Sequence, residues 1–403
     1  MIQILRRGGT VAALLLTLMI SSGRCVLAAV PDDSSAANMK EPEPLRLAVV
    51  GLVHGHVHGI LSDAQRRDDV DLVGVFEPDS LLLNEISDRY NVPRRLRFSN
   101  LAEMLDRVRP DAVSVNSNTF DHADIVEECA RRGIHVMVEK PLAVSMEHAR
   151  RIQRAADESG IHVLVNYETT WYPGNSVVEE LLDSGALGTI RRMVVRDGHF
   201  GPKEIGVSEA FLEWLVDPIL NGGGALTDFG CYGANLMTWL MKGETPIAVT
   251  AVTQNLKSDP VYSRVDDEAT IIVEYRGAVG LIEASWNWPY HRKDMDVYGD
   301  SGYVVVPRRD VVHFGRLDER IDEVDEAEAP IEDAKGATAV PSLDDSVADP
   351  LSYLRAVVSG EIVPEPNDLS SLSNNLMVTR ILDAARESAR TGRRVVLWSG
   401  SGG

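Results

Sequence analysis

In the stretch LAVVGLVHGHVHGIL, Leu47 to Leu61, three histidines stand at alternate positions: His54, His56 and His58. Imidazoles are metal ligands, but three at this spacing cannot all face one ion on a regular helix, where His56 points away from His54 and His58. Catalytic zinc also needs a further ligand and an oriented outer shell, and neither an H-E-x-x-H pattern nor a Cys pair is present. No metal site is expected. The same stretch reads better as a phosphate-cradling turn. An apolar strand ends at Val50, Gly51 makes the tight turn, and a helix begins near Val57 with unpaired N–H groups at its start. In glycine-fingerprint register Gly51 matches, while Val53 and His56 hold the second and third positions and Gly55 is off register. Val53 would crowd a pyrophosphate, whereas His56 could contact it. Gly51, Val53, His54 and His56 are therefore candidate cofactor-binding residues. Glu77 follows the next apolar run in VGVFEPD, where a carboxylate accepts hydrogen bonds from ribose hydroxyls and repels a 2′-phosphate. That favours NAD, with NADP as the alternative.

A second set of residues offers proton chemistry. Lys140, in VEKPLA, follows an apolar strand directly, and Pro141 keeps a helix from starting at once. Asp228, Tyr232 and Asn235 are spaced i, i+4 and i+7, so a single helix would carry all three on one face. Gly222 to Gly224 precede them and would let the backbone approach a ligand closely. A free phenol titrates near pH 10, too high for a base at neutral pH, and an ammonium beside it would lower that value. Lys140 beside Tyr232 would thus make a proton acceptor, with Asp228 orienting the lysine or a substrate hydroxyl. Tyr167, Trp171 and Asn235 are candidate substrate contacts, the aromatics by stacking on a sugar.

These residues need elements to hold them. LRLAVV, DLVGVF, DAVSVNS, HVMVE and HVLVN read as buried strands, separated by helical stretches such as DHADIVEECARRG and SMEHARRIQRAADESG. The alternation predicts a doubly wound parallel sheet over 45–166. From 167 to 403 the pattern changes to consecutive strands with a few helices, predicting an α/β domain with a large, mostly antiparallel open sheet. Arg6 and Arg7, an apolar run from Val11 to Ile20 and small residues at Ala28 and Ala29 read as a cleaved export signal over 1–29, followed by a Pro-rich linker over 30–44. The mature protein is then periplasmic or extracellular and carries no membrane anchor. The formal net charge of -21 repels nucleic acid and anionic lipid. Cys129 and Cys231 remain without a disulfide framework. Asp318 to Asp333 is an acidic run that reads as a solvated loop.

The EKP element, Glu139 to Pro141, resembles the Gfo/Idh/MocA oxidoreductase family. So do SVNSNTFDHADIVEECARRGIHVMVEKPLA, LLDSGALGTIRRM, GGGALTDFGCYGANLMTWL, VDDEATIIVEY and ILDAARESARTGRRVVL. The resemblance implies a Rossmann domain followed by a C-terminal domain whose open sheet makes homo-oligomers. It also implies that Asn116, Asn118, His122, Glu139 and Lys140 face the nicotinamide and ribose. Family members typically carry Asp, His and Asp on the helix where this chain has Asp228, Tyr232 and Asn235. The Tyr and Lys pair is similar to the glucose–fructose oxidoreductase branch. The expected function is an exported oxidoreductase passing hydride between a carbohydrate and a tightly held nicotinamide cofactor. An NAD-dependent glycoside hydrolase working by transient oxidation, or a sugar-binding protein that has lost its cofactor, are the alternatives.

Overall fold

The computed structural model describes residues 43–316, 337–340 and 342–398. The expected signal, nearly all of the linker and the acidic run from Asp318 to Asp333 lie outside the described residues. From Leu45 strand and helix alternate: β1 (Leu45–Val50), α1 (Val57–Arg66), β2 (Val70–Phe76), α2 (Ser80–Arg89), β3 (Arg97–Phe98), α3 (Leu101–Val108), β4 (Ala112–Val115), α4 (His122–Ala130), β5 (His135–Glu139), α5 (Met146–Ser159) and β6 (Val163–Asn166). The strands are parallel in the order β3-β2-β1-β4-β5-β6. This is the expected doubly wound sheet with one addition, β3, whose two residues are too few to show a pattern. The order reverses between β1 and β4, so a crevice opens outside the carboxyl ends of those strands. Helices cover both faces, which is why β1 is an apolar run with Leu47 to Val50 fully buried.

Beyond β6, α6 (Pro173–Asp183), β7 (Ile190–Gly198), α7 (Glu209–Leu215), α8 (Ala225–Asp228) and α9 (Gly230–Leu240) lead into the second sheet. It continues with β8 (Ala248–Gln254), β9 (Glu268–Glu274), β10 (Val279–Ser285), β11 (Arg292–Gly299), β12 (Gly302–Arg308), β13 (Val311–Arg316) and β14 (Ala337–Ala339). After α10 (Pro350–Val358) and α11 (Leu372–Thr391), β15 (Val395–Val396) closes the edge. The order is β14-β13-β12-β11-β7-β10-β9-β8-β15, antiparallel except for the pairing of β7 with β10. Every residue of α9 is buried, because the helix lies between this sheet and α11. An apolar surface on all sides is what such a position requires.

α10 crosses back to the first sheet. Its Leu351, Leu354 and Val357 share a core with Ile60, Leu61 and Ala64 of α1. Each such side chain contributes roughly 1.5–3 kcal/mol when fully buried, before entropy is counted. Asp349 caps α10 by accepting the Leu351 and Ser352 amides at 2.9 and 3.0 Å, and Arg67 holds the same carboxylate at 2.9 Å. The boundary expected at 166/167 coincides with the end of β6, yet the C-terminal segment contributes to both cores.

Candidate active site

Parallel strands deliver their following residues to the crevice, and Lys140 follows β5 directly. The Lys140–Pro141 peptide bond is cis. The Lys140 Nζ donates to Asp228 Oδ1 at 2.5 Å and to the Asp228 carbonyl at 3.2 Å. That carbonyl is available because the expected single helix is broken at Phe229, so Asp228 ends α8 and Tyr232 lies in the first turn of α9. Trp286 Nε1 donates to the other oxygen, Asp228 Oδ2, at 3.0 Å. Burial opposes both charges, but each ion stabilises the other, and the net result holds Asp228 below its ordinary value and Lys140 above its own.

Tyr232 corrects an expectation. Its ring centroid lies 5.2 Å from Lys140 Nζ and 4.1 Å from Lys293 Nζ, so the ring lies near two ammonium groups. Burial, with Asp197 and Glu168 nearby, pushes the phenol well above 10. Lys140 is committed to Asp228 and does not lower Tyr232; the resting group is a neutral phenol.

Residues that sequence patterns did not single out complete the site. Asp197 is the penultimate residue of β7, and His199 directly follows the strand. Asp197 is buried, neither carboxylate oxygen has a hydrogen-bond partner, and burial drives its carboxyl well above the ordinary range. Lys293 of β11 lies 3.9 Å from it and 2.5 Å from Glu168 Oε2, while Tyr172 donates to Glu168 Oε1 at 2.8 Å. His199 Nδ1 accepts the Gly201 amide at 2.9 Å, which leaves the proton on Nε2. Burial lowers His199 to about 4, so it is neutral at pH 7. Lys140, Asp228, Tyr232, His199 and Lys293 line one cleft of about 640 Å³.

The nucleotide turn has its own geometry. Gly51 has φ of +80°, and a Cβ there would lie 2.6 Å from the Ser117 amide nitrogen, so only glycine fits between β1 and β4. Val53 packs on the apolar core. α1 has no side-chain cap and no acidic residue in its first turn. Glu77 is buried and accepts the Leu52 and Asp79 amides at 2.8 and 3.1 Å, bracing the turn from below. An uncapped helix start, a carboxylate at the end of β2 and no Lys or Arg in Glu77–Ser80 fit a dinucleotide without a 2′-phosphate.

The histidines separate. His58 meets the Tyr90 hydroxyl at 3.1 Å. His56 Nδ1 lies 2.9 Å from Glu139 Oε2, and Asn166 donates to Glu139 Oε1 at 2.8 Å. His54 joins them, with the three ligand atoms within 4.8 Å of one another, a gathering the spacing argument did not foresee. His54 Nδ1, however, already accepts the His56 amide at 3.2 Å and would have to release it to bind an ion. Burial lowers His54 to about 3, so it too is neutral.

Several candidates serve the fold instead of lining the cleft. Asn235, one turn beyond Tyr232 on α9, is fully buried and donates to the Leu369 carbonyl at 2.8 Å and to Asn375 of α11 at 3.3 Å. Tyr167 stacks edge-on behind Tyr232, and Trp171 donates to Asn166 Oδ1 at 2.9 Å while packing on Tyr353. His122 Nδ1 faces the Leu142 carbonyl at 3.2 Å and supports the turn after Lys140. Asn116 donates to Ser114, and Asn118 caps the turn before α4 through the Asp121 amide. Gly224 packs against the Asp266 backbone, whose carboxylate caps α8 at the Gly224 and Leu226 amides, so the glycine run approaches protein and not the cleft.

Comparison with known proteins places this architecture. The profile described as "Oxidoreductase family, NAD-binding Rossmann fold" matches residues 45–167, and that of the "GFO/IDH/MocA C-terminal domain" matches 176–305. The chain is 26% identical to trans-1,2-dihydrobenzene-1,2-diol dehydrogenase of Xenopus laevis over 239 residues, covering 59% of this chain and 68% of that protein. It is 23% identical to myo-inositol 2-dehydrogenase of Thermotoga maritima over 266 residues, 64% of this chain and 74% of the relative. The crystal structure of aldose-aldose oxidoreductase from Caulobacter crescentus, complexed with glycerol, superposes with a TM-score of 0.72 at 23% identity, covering 88% of this chain and all of that one (100%). The two matched domains, the sheet order and the lysine at the crevice together make this chain a member of the Gfo/Idh/MocA family of NAD-binding oxidoreductases.

Proposed function

We propose that this protein is an exported, NAD-dependent oxidoreductase that moves hydride between one carbon of a sugar or polyol and a tightly held nicotinamide. The observation that carries this reading is the Lys140–Asp228 pair beside Tyr232, set at the carboxyl edge of an NAD-binding sheet and open to a cleft of sugar size. NAD, when bound, accepts or returns the hydride. The protein's own groups handle the oxygen. Lys140 gives two of its hydrogen bonds to Asp228 and keeps the third for the substrate oxygen. Tyr232 holds its proton at rest and donates it to the carbonyl oxygen as hydride reaches the carbon. In the oxidative direction it first releases that proton through the cleft to solvent, and the phenolate then takes the hydroxyl proton. Lys293, whose ammonium lies 4.1 Å from the ring centroid, stabilises the phenolate while the proton is away. His199 adds a neutral Nε2–H donor to the cleft.

Gly51, the start of α1 and Glu77 would hold the nucleotide, with His56 and Glu139 nearer the reacting end. Free NAD is scarce outside the cytoplasm, so export supports a cofactor that stays bound and is recycled within the site. Copies of the chain are proposed to pair through the open face of the second sheet, where Val252, Ile272, Tyr298 and Tyr303 are exposed.

The test starts with protein isolated folded from the export compartment, denatured and filtered. Near-stoichiometric NAD in the filtrate is expected. Lys140→Met should then retain nucleotide and lose turnover on sugars by about a hundredfold or more. An empty filtrate with no uptake of added NAD, or normal turnover in the variant, would overturn the reading.

A further inference from the structure

The chain carries a formal net charge of -21, and most of its surface must repel an anion. The cleft is different. Lys140, Arg292, Lys293, Arg308 and Arg309 line it, against the carboxylates of Glu168, Asp228 and Asp294. All three carboxylates are already engaged. Asp228 belongs to Lys140 and Trp286, and Glu168 to Lys293 and Tyr172. Asp294 belongs to Arg196, at 2.7 Å, and to Arg292. Arg308 and Arg309, at the turn between β12 and β13, have no ion pair among the described residues. Asp310, next in that turn, does not line the cleft.

The contacts order these groups from the reacting end outward. Lys293 lies over the Tyr232 ring, Glu168 bridges Lys293 to the Tyr172 hydroxyl, and Arg309 Cζ lies 5.6 Å over the Tyr172 ring. Positive charge is balanced along this wall until Arg309, which has no ion pair among the described residues. A neutral sugar can accept only single hydrogen bonds from guanidinium groups there. A carboxylate or phosphate gains more, because the planar fork of arginine matches its oxygens in pairs and the opposite charges attract.

We infer that the substrate is an acidic sugar, bound with its carboxylate or phosphate against Arg308 and Arg309 while the reacting carbon faces Tyr232. The inference rests on the sugar oxidoreductase reading above. It assigns the two arginines to recognition, on the side of the cleft remote from the hydride-exchanging carbon.

The experiment uses the full-length protein with its bound nucleotide and a panel of hexuronates and hexose 6-phosphates, each beside its neutral parent. Binding is followed by calorimetry and turnover by nicotinamide absorbance. The acid form is expected to exceed its parent about tenfold or more in affinity and in kcat/KM, the size of one charge-assisted hydrogen bond. Whether the uronates or the phosphates lead identifies the anion. In the Arg308→Gln/Arg309→Gln double variant that ratio should fall toward one, through KM, while Arg309→Lys should keep most of it. Equal use of acid and parent, or a ratio the double variant leaves unmoved, would overturn the inference and leave the oxidoreductase standing. Arginine-dependent binding of the acids with no turnover of any sugar would support the anion site and sink the proposed reaction. No binding of any acid would overturn the inference outright.

Discussion

His199 illustrates how a single residue acquires its role from its neighbours. The Gly201 amide occupies Nδ1, so the remaining proton sits on Nε2, and burial holds the ring neutral with a pKa of about 4. Such a group donates a hydrogen bond across the whole neutral range and takes no proton there. Replacing it with glutamine, whose amide reaches a similar position, should keep most of kcat/KM. Replacing it with phenylalanine should cost about ten- to a hundredfold by removing the donor. Steady-state kinetics on a sugar substrate checks this, and an equal loss in both variants would refute the donor role. The pH profile offers a second check. With His54, His122 and His199 all neutral, none of these three should contribute a limb to the rate near pH 6.5, so His199→Gln should leave the shape of the profile there unchanged. Lys140 and Tyr232 were legible in the sequence because each sits beside a dense local motif. Asp197, His199 and Lys293 were not, because a polar residue in an alternating strand looks the same whether it faces solvent or a cleft.

At the scale of elements, two backbone features decide where the chemistry stands. At Gly51 a left-handed turn passes so close to Ser117 that any Cβ would collide with the backbone. Gly51→Ala should therefore destabilise the protein by at least about 2 kcal/mol. It should also reduce retained nucleotide, since the start of α1 would shift; thermal melting and nucleotide content measure the two effects. An unchanged melting temperature would mean the turn is more compliant than its geometry implies. At Phe229 the helix breaks, freeing the Asp228 carbonyl for Lys140. Residue spacing predicts a face only while the helix stays continuous, so the break sets Asp228 apart from Tyr232 and Asn235, and in a helix buried on every side Asn235 meets the Leu369 carbonyl instead of the cleft.

The whole molecule responds to pH through its buried histidines. His54, His122 and His199 have folded-state values of about 3, 4 and 4, all below the unfolded value near 6.5. Between pH 6.5 and about 4 the unfolded chain binds protons that the folded chain does not, so stability falls as pH falls through that window. Each histidine contributes a slope of about 1.4 kcal/mol per pH unit at most. Asp197 acts in the opposite direction, because its raised carboxyl is protonated in the fold and ionised in the unfolded chain as pH rises. The net expectation is a melting temperature that declines from pH 7 to pH 5. A His122→Asn variant, keeping a donor toward the Leu142 carbonyl, should show a shallower decline, and an identical slope would show that His122 does not titrate in unfolding.

The sequence by itself determined the parallel sheet, the glycine turn, the lysine at the crevice and the family. All of these are local: a strand's hydrophobic run, a motif of a few residues and a helix cap each act within one element, where neighbours in sequence are neighbours in space. Only the tertiary structure decided which partner Lys140 takes, which residues line the cleft and where α10 packs. Those outcomes join residues far apart in the chain, such as Lys140 with Asp228 or Arg67 with Asp349, and no periodicity records them. They depend on where a helix breaks and how two sheets are set against each other, which only the folded chain specifies.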